Sequence, residues 1–214
     1  MLKKYDVLTG IGLAIILLLT AIFVYPGGSP ADKTTAGFSW KYNFISNLFQ
    51  PTAINGQPNT ARYWAVAGMF FFSGSIALFF FNFSKKIPIK SAAKVVQYFG
   101  IVAMLFTFLI ATPLHDIMVL LASTLFLVSL FYITVFVFKT KLHLVKLLCV
   151  LSLLIFYATL YFYGVQSYRA ILPAMQKLTF FSTVVVVLVL QYFTRQEDFA
   201  HIKAGPKGKE KQKK

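Results

Sequence analysis

Apolar positions along the chain gather into six long stretches, from Val7 to Tyr25, Tyr63 to Phe81, Ala93 to Ala111, Ile117 to Phe138, Leu144 to Tyr163 and Ile171 to Phe193. None alternates with a period of two, as barrel strands do, and each is bounded by Pro, Gly or Lys, so helices are expected. A hydrocarbon core of ~30 Å, crossed at ~1.5 Å per residue, needs ~20 mostly apolar residues. Every stretch meets that length. The expected fold is therefore an all-α, polytopic integral membrane bundle of six transmembrane helices. It spans residues 1–200 and is followed by a basic tail, 201–214, too charged and too poor in apolar residues to fold alone.

The connection from Pro26 to Arg62 breaks the pattern of short loops, because its 37 residues are neither simple nor strongly charged. Within it Phe38, Trp40, Phe44, Ile45, Leu48 and Phe49 alternate with polar residues, and positions 44, 45, 48 and 49 share one helical face. This spacing predicts a short amphipathic helix over Phe38 to Phe49, lying at the interface or folded over the bundle mouth. Pro51, Asn55, Gly56, Pro58 and Asn59 then mark turns. In the second span Ala61, Ala65, Gly68 and Ser75 fall on one face, where small side chains let a neighbouring helix approach closely.

Composition agrees with a bilayer: 58 % of residues are apolar, 13 % are charged and mean hydropathy is +0.72. A soluble enzyme is excluded. The only cysteine, Cys149, sits in an apolar run, which excludes an internal disulfide and a cysteine-rich metal site. The formal charge of +15 is distributed as membrane topology demands. Sixteen Lys and Arg fall on the side that holds both termini, against five on the other: Lys33, Lys41, Arg62, Arg169 and Lys177. The positive-inside rule places both termini in the cytoplasm of a multi-pass protein of the plasma or inner membrane, with the long first loop outside. Lys3 and Lys4 ahead of the first stretch also suit a signal peptide, although the run is long for one. The basic tail fits attraction to anionic lipid, and the absence of interleaved aromatics argues against nucleic acid.

Few polar side chains lie at the outer level. They are Ser46, Asn47 and Arg62 from the first loop, His115 and Asp116 at the start of the fourth span, and Gln166, Arg169, Gln176 and Lys177 around the sixth. Asp116 suits a helix first turn, where unpaired amides and the macrodipole favour an acid. Lys177 lies inside the sixth span after Pro173, so it must snorkel, face a cavity or find a partner, with Asp116 or an anionic headgroup as candidates. Arg169 adds a guanidinium suited to phosphate. A catalytic reading takes Ser46 as nucleophile and His115 as base, but adjacent His and Asp rarely build a triad and Ser46 sits in no elbow motif. Walker, Rossmann and HExxH patterns are missing, and one outer histidine is a poor inventory for zinc, so no cofactor or metal is expected.

The motifs YNFISNLFQ (Tyr42 to Gln50), RYWAVAGMFFFSGS (Arg62 to Ser75) and TPLHDIMVLLAS (Thr112 to Ser123) resemble those of small hexahelical bacterial membrane proteins, the "domain of unknown function 998" family. That family is itself similar to Frag/DRAM/Sfk-type membrane proteins. The resemblance covers about Phe38 to Phe138 and implies six spans with an outward polar cluster, but brings no established activity. Asn47 stands where the family more often has Asp, and the acid usual near the end of the third span is missing.

Three functional classes follow. A non-catalytic protein binding a lipid, another amphiphile or a partner membrane subunit (including a second copy of the chain) through Ser46, Asn47, Arg62, His115, Asp116, Arg169 and Lys177 is favoured, because amides and aromatics dominate and acid/base groups are scarce. A transporter or channel would need a path from Lys177 to Gln97 or Gln191. A lipid hydrolase would need His115 within reach of a nucleophile or metal.

Overall fold

The computed structural model describes residues 5–165 and 169–202; Gln166 and most of the basic tail lie outside them. Among the described residues it contains six helices long and apolar enough to cross a membrane, and no strand. They are α1 (Asp6–Phe23), α2 (Ala61–Ser84), α3 (Lys90–Leu109), α4 (His115–Phe138), α5 (His143–Gly164) and α6 (Leu172–Phe193). Each begins and ends within a few residues of the expected stretch. Local chemistry sets the ends: Asp6 and Asp116 occupy first turns, and Pro173 sits where its missing N–H costs nothing.

Helices α2 to α6 are neighbours in chain order and close into a ring where α2 meets α6; α1 packs outside, along α2 and against α6. The small-residue face of α2 receives α1. Ala61 and Ala65 are fully buried there, and a Cβ on Gly68 would come within 3.0 Å of Leu18 and 3.2 Å of the Ala14 carbonyl. On the α3 side, Gly100 lies directly against the Phe80 ring. In lipid such close approach is the main source of helix association. Outward faces carry Ile16, Leu120, Leu154 and Phe181, each about 60 % exposed, as expected of side chains that meet acyl chains.

The two ends of the bundle close differently. At the end where α1 begins and α6 finishes, the Lys86 ammonium donates to the carbonyls of Leu190, Gln191 and Thr194 at 2.9–3.0 Å, where α6 runs out of internal partners. Beyond it a 3-10 turn, Gln196–Phe199, crosses beneath the helices. Phe199 is fully buried edge-on to Phe83, with ring centroids 5.7 Å apart. His201 reaches the Lys139 carbonyl at 2.7 Å at the end of α4.

The long loop closes the other end. Gly27 and Gly28 adopt φ of 137° and 84°, and the backbone of Ile54 and Asn55 presses so close to Gly28 that a side chain there has no room. The buried Asn43 amide donates to the Gly28 carbonyl at 2.9 Å, and Asn59 donates to the carbonyls of Leu48 (3.1 Å) and Gln50 (2.8 Å). The expected helix over Phe38 to Phe49 is shorter than its apolar pattern suggests: only Ile45–Phe49 is helical, as a 3-10 turn. Asn47 marks the boundary: its Oδ1 takes the Phe44 N–H at 2.7 Å, a donor that a longer helix would give to the Trp40 carbonyl.

Candidate functional site

Beneath the Ile45–Phe49 turn lies a cavity of about 190 Å³ inside the helix ring. The turn roofs it with Ile45, Ser46 and Phe49, and α2 through α6 all contribute wall residues, whereas α1 contributes none among those described. The lining is largely apolar, with Met69, Phe72, Met104, Phe126, Phe156 and Phe180. Two stacked ring pairs stiffen it: Phe72 on Phe180, centroids 4.4 Å apart, and Phe126 on Phe156, 4.9 Å apart. The Thr159 and Thr179 hydroxyls, which bond each other at 2.8 Å, also line it, as do Thr107, Ser123 and Thr183.

Two consecutive residues of α6 hold the roof. Gln176 Oε1 accepts the Ile45 N–H at 2.7 Å. The Lys177 ammonium donates to the Asn43 carbonyl at 2.6 Å and to its own helix at Pro173 O, 2.9 Å, while lying 5.7 Å from the centre of the Phe38 ring. Pro173 sets the α6 start so that residues 176 and 177 fall one turn in, at the level of the loop.

The outer polar residues separate into two groups. Ser46 and Lys177 belong to the cap, and Asn47 fixes its shape. His115 and Asp116 form their own pair, Nδ1 donating to the carboxylate at 2.9 Å, and the Tyr163 hydroxyl adds a bond to the same oxygen at 3.2 Å. The Asp116 side chain is 83 % exposed, and Lys177 does not reach it. The other ring nitrogen of His115, Nε2, is buried with no partner among the described residues. Among the described residues Ser46 makes no hydrogen bond with His115, so the expected base does not engage its hydroxyl. Arg62 stacks on Tyr63, 5.9 Å from its ring centre, and Arg169 is exposed within electrostatic reach of Tyr163. No group of three His, Cys, Asp or Glu is placed to hold a metal among the described residues.

Asn43 and Asn59 are structural residues of the cap that the pattern of charges did not single out, whereas Gln176 was among the expected outer polar residues. Thr179 and Thr183, one turn apart inside an apolar span, carried a signal of their own: hydroxyls at helical spacing on one face. No protein-family model, curated protein or solved structure matches this chain.

Proposed function

We propose that this is a non-catalytic integral membrane protein that takes the apolar part of a lipid or other amphiphile into its bundle cavity, beneath the first-loop cap. The observation that carries the reading is the cavity itself: largely apolar, ringed by five helices and roofed by a segment tied to α6. Lys86 and Phe199 close the opposite end, and the cavity lining includes neither Gln97 nor Gln191. This supports a binding cavity over a transporter's through-path. A hydrolase reading has no geometric support at Ser46. At the outer level, the exposed Asp116 and Arg169 and the partly exposed Arg62 are available to a headgroup or to a partner membrane subunit, with His115 holding Asp116 in place. The resemblance to the hexahelical family belongs to this same proposal.

The charge bias supports both termini in the cytoplasm of a plasma or inner membrane. In intact cells, a membrane-impermeant thiol reagent is expected to label Gln57→Cys and spare Lys141→Cys in a Cys149→Ser background; the reverse pattern overturns the orientation. The function is tested by native mass spectrometry of gently extracted protein. A retained lipid that disappears when the cavity is filled supports it, and a mass unchanged by filling overturns it.

A further inference from the structure

We infer that the guest of this cavity is a neutral amphiphile whose hydroxyl or carbonyl oxygen meets the hydroxyls of Ser123 and Thr183. The inference rests on the binding role proposed above and names its ligand class.

Serine and threonine inside a membrane helix ordinarily satisfy their hydroxyl by donating to a carbonyl one turn back. This chain follows that habit widely. Thr20, Ser73, Ser75, Thr107, Ser129 and Thr134 all do so, at 2.6–3.0 Å. Ser123 and Thr183 do not: both line the cavity and neither hydroxyl has a hydrogen-bond partner among the described residues. Thr183 is only 7 % exposed, so lack of a partner there is costly unless something in the cavity supplies one. Ser46, 9 % exposed in the roof, presents a third unpartnered hydroxyl.

The depth of the pair is informative. Ser123 lies eight residues into α4 and Thr183 eleven residues into α6, about 12 and 16 Å below the helix starts at ~1.5 Å per residue. That is near the middle of a ~30 Å hydrocarbon core. Among the described residues no Lys, Arg, His, Asp or Glu lines the cavity. A phosphate or ionised carboxylate at that depth would lose its hydration with no counter-charge, whereas a neutral oxygen needs only the hydrogen bonds these hydroxyls offer. Ser123 and Thr183 thus select against charge while the aromatic wall accepts the chain.

Photoreactive analogues sharing one long alkyl chain, ending as an alcohol, a carboxylic acid or a plain alkane, test this on the full chain in mild detergent. The alcohol is expected to label wall peptides of the bundle and to bind about tenfold more tightly than the alkane, the worth of one or two modest hydrogen bonds. The Ser123→Ala/Thr183→Val double variant should lower alcohol affinity about tenfold and leave the alkane unchanged. These hydroxyls hold no protein partner, so the variant should melt no lower than the parent; should it fail to fold, the alcohol-to-alkane comparison on the parent still decides. Binding of the acid as tight as the alcohol overturns the inference. So does equal affinity of parent and variant for the alcohol, which would assign these hydroxyls to cavity water. Failure of every chain, alkane included, to bind overturns the binding role as well; alkane binding without preference for the alcohol overturns this inference alone.

Discussion

The Lys177 ammonium donates to the Asn43 carbonyl at 2.6 Å, joining positions 134 residues apart. A charged donor one turn inside a membrane span thereby finds its partner in the backbone of the loop above it. Asp116, the nearest acid in sequence logic, is engaged instead by His115 and Tyr163.

Two substitutions separate these roles. Lys177→Met removes a charge-assisted bond from a half-buried site and is expected to cost about 1 to 2 kcal/mol and to speed proteolysis within the first loop. Asp116→Ala removes an exposed pair and should cost under about 1 kcal/mol. Thermal unfolding in detergent and limited proteolysis check both; an Asp116→Ala loss as large as that of Lys177→Met would show that the two sites are coupled after all.

Gln176→Leu leaves the Ile45 N–H without its acceptor while preserving side-chain bulk. The expected loss is about 1 to 2 kcal/mol, concentrated in the cap. Hydrogen exchange should accelerate over Ile45–Phe49 and stay unchanged in α3 and α4; uniform acceleration would mean a global rather than a local effect.

Ala122 is 4 % exposed and lines the cavity, so Ala122→Leu adds methyl groups where space exists. The variant is expected to fold with little change in stability and to lose the retained lipid in native mass spectra. An overpacking penalty of ~1–3 kcal/mol would instead indicate that the wall cannot accept the added volume.

Burial pulls the Lys86 ammonium down to about 8 from 10.5, with Asp198 opposing the shift. Between those pH values the unfolded chain keeps a proton that the folded protein has released, so this residue makes stability rise with pH through that window. Lys86→Met should abolish the rise. At neutral pH it should cost about 1 to 2 kcal/mol, because the α6 carbonyls lose their donor. Unfolding followed across the alkaline range in parent and variant is the measurement, and parallel curves would show that Lys86 does not titrate there.

Gly100→Ala places a methyl into the Phe80 ring and is expected to destabilise the α2 and α3 contact by about 1 to 3 kcal/mol. Phe80→Leu in the same chain should restore part of the loss. Additive losses in the double variant would locate the strain elsewhere.

The six spans, their ends and the role of the small α2 face were legible in the residues. A bilayer accepts only segments long enough to cross it with every backbone bond made internally, and that condition is local. The fold of the cap was half legible: its apolar pattern announced a structured segment, but the Asn47 side chain takes the Phe44 N–H and the helix is cut to a turn. Of the cavity, only the hydroxyls of Thr179 and Thr183, one turn apart, left a trace in the residues. In a soluble helix the polar face says which side turns inward, whereas a span apolar on every side carries little such mark, and only packing decides which faces of α2 and α4 meet lipid and which line the cavity. Tertiary structure likewise gave Lys177 to Asn43 rather than Asp116. The reason is geometric: the rotation of α6 and the path of a 37-residue loop determine which oxygen lies within hydrogen-bond distance of that ammonium, and neither is a property of the residues flanking it.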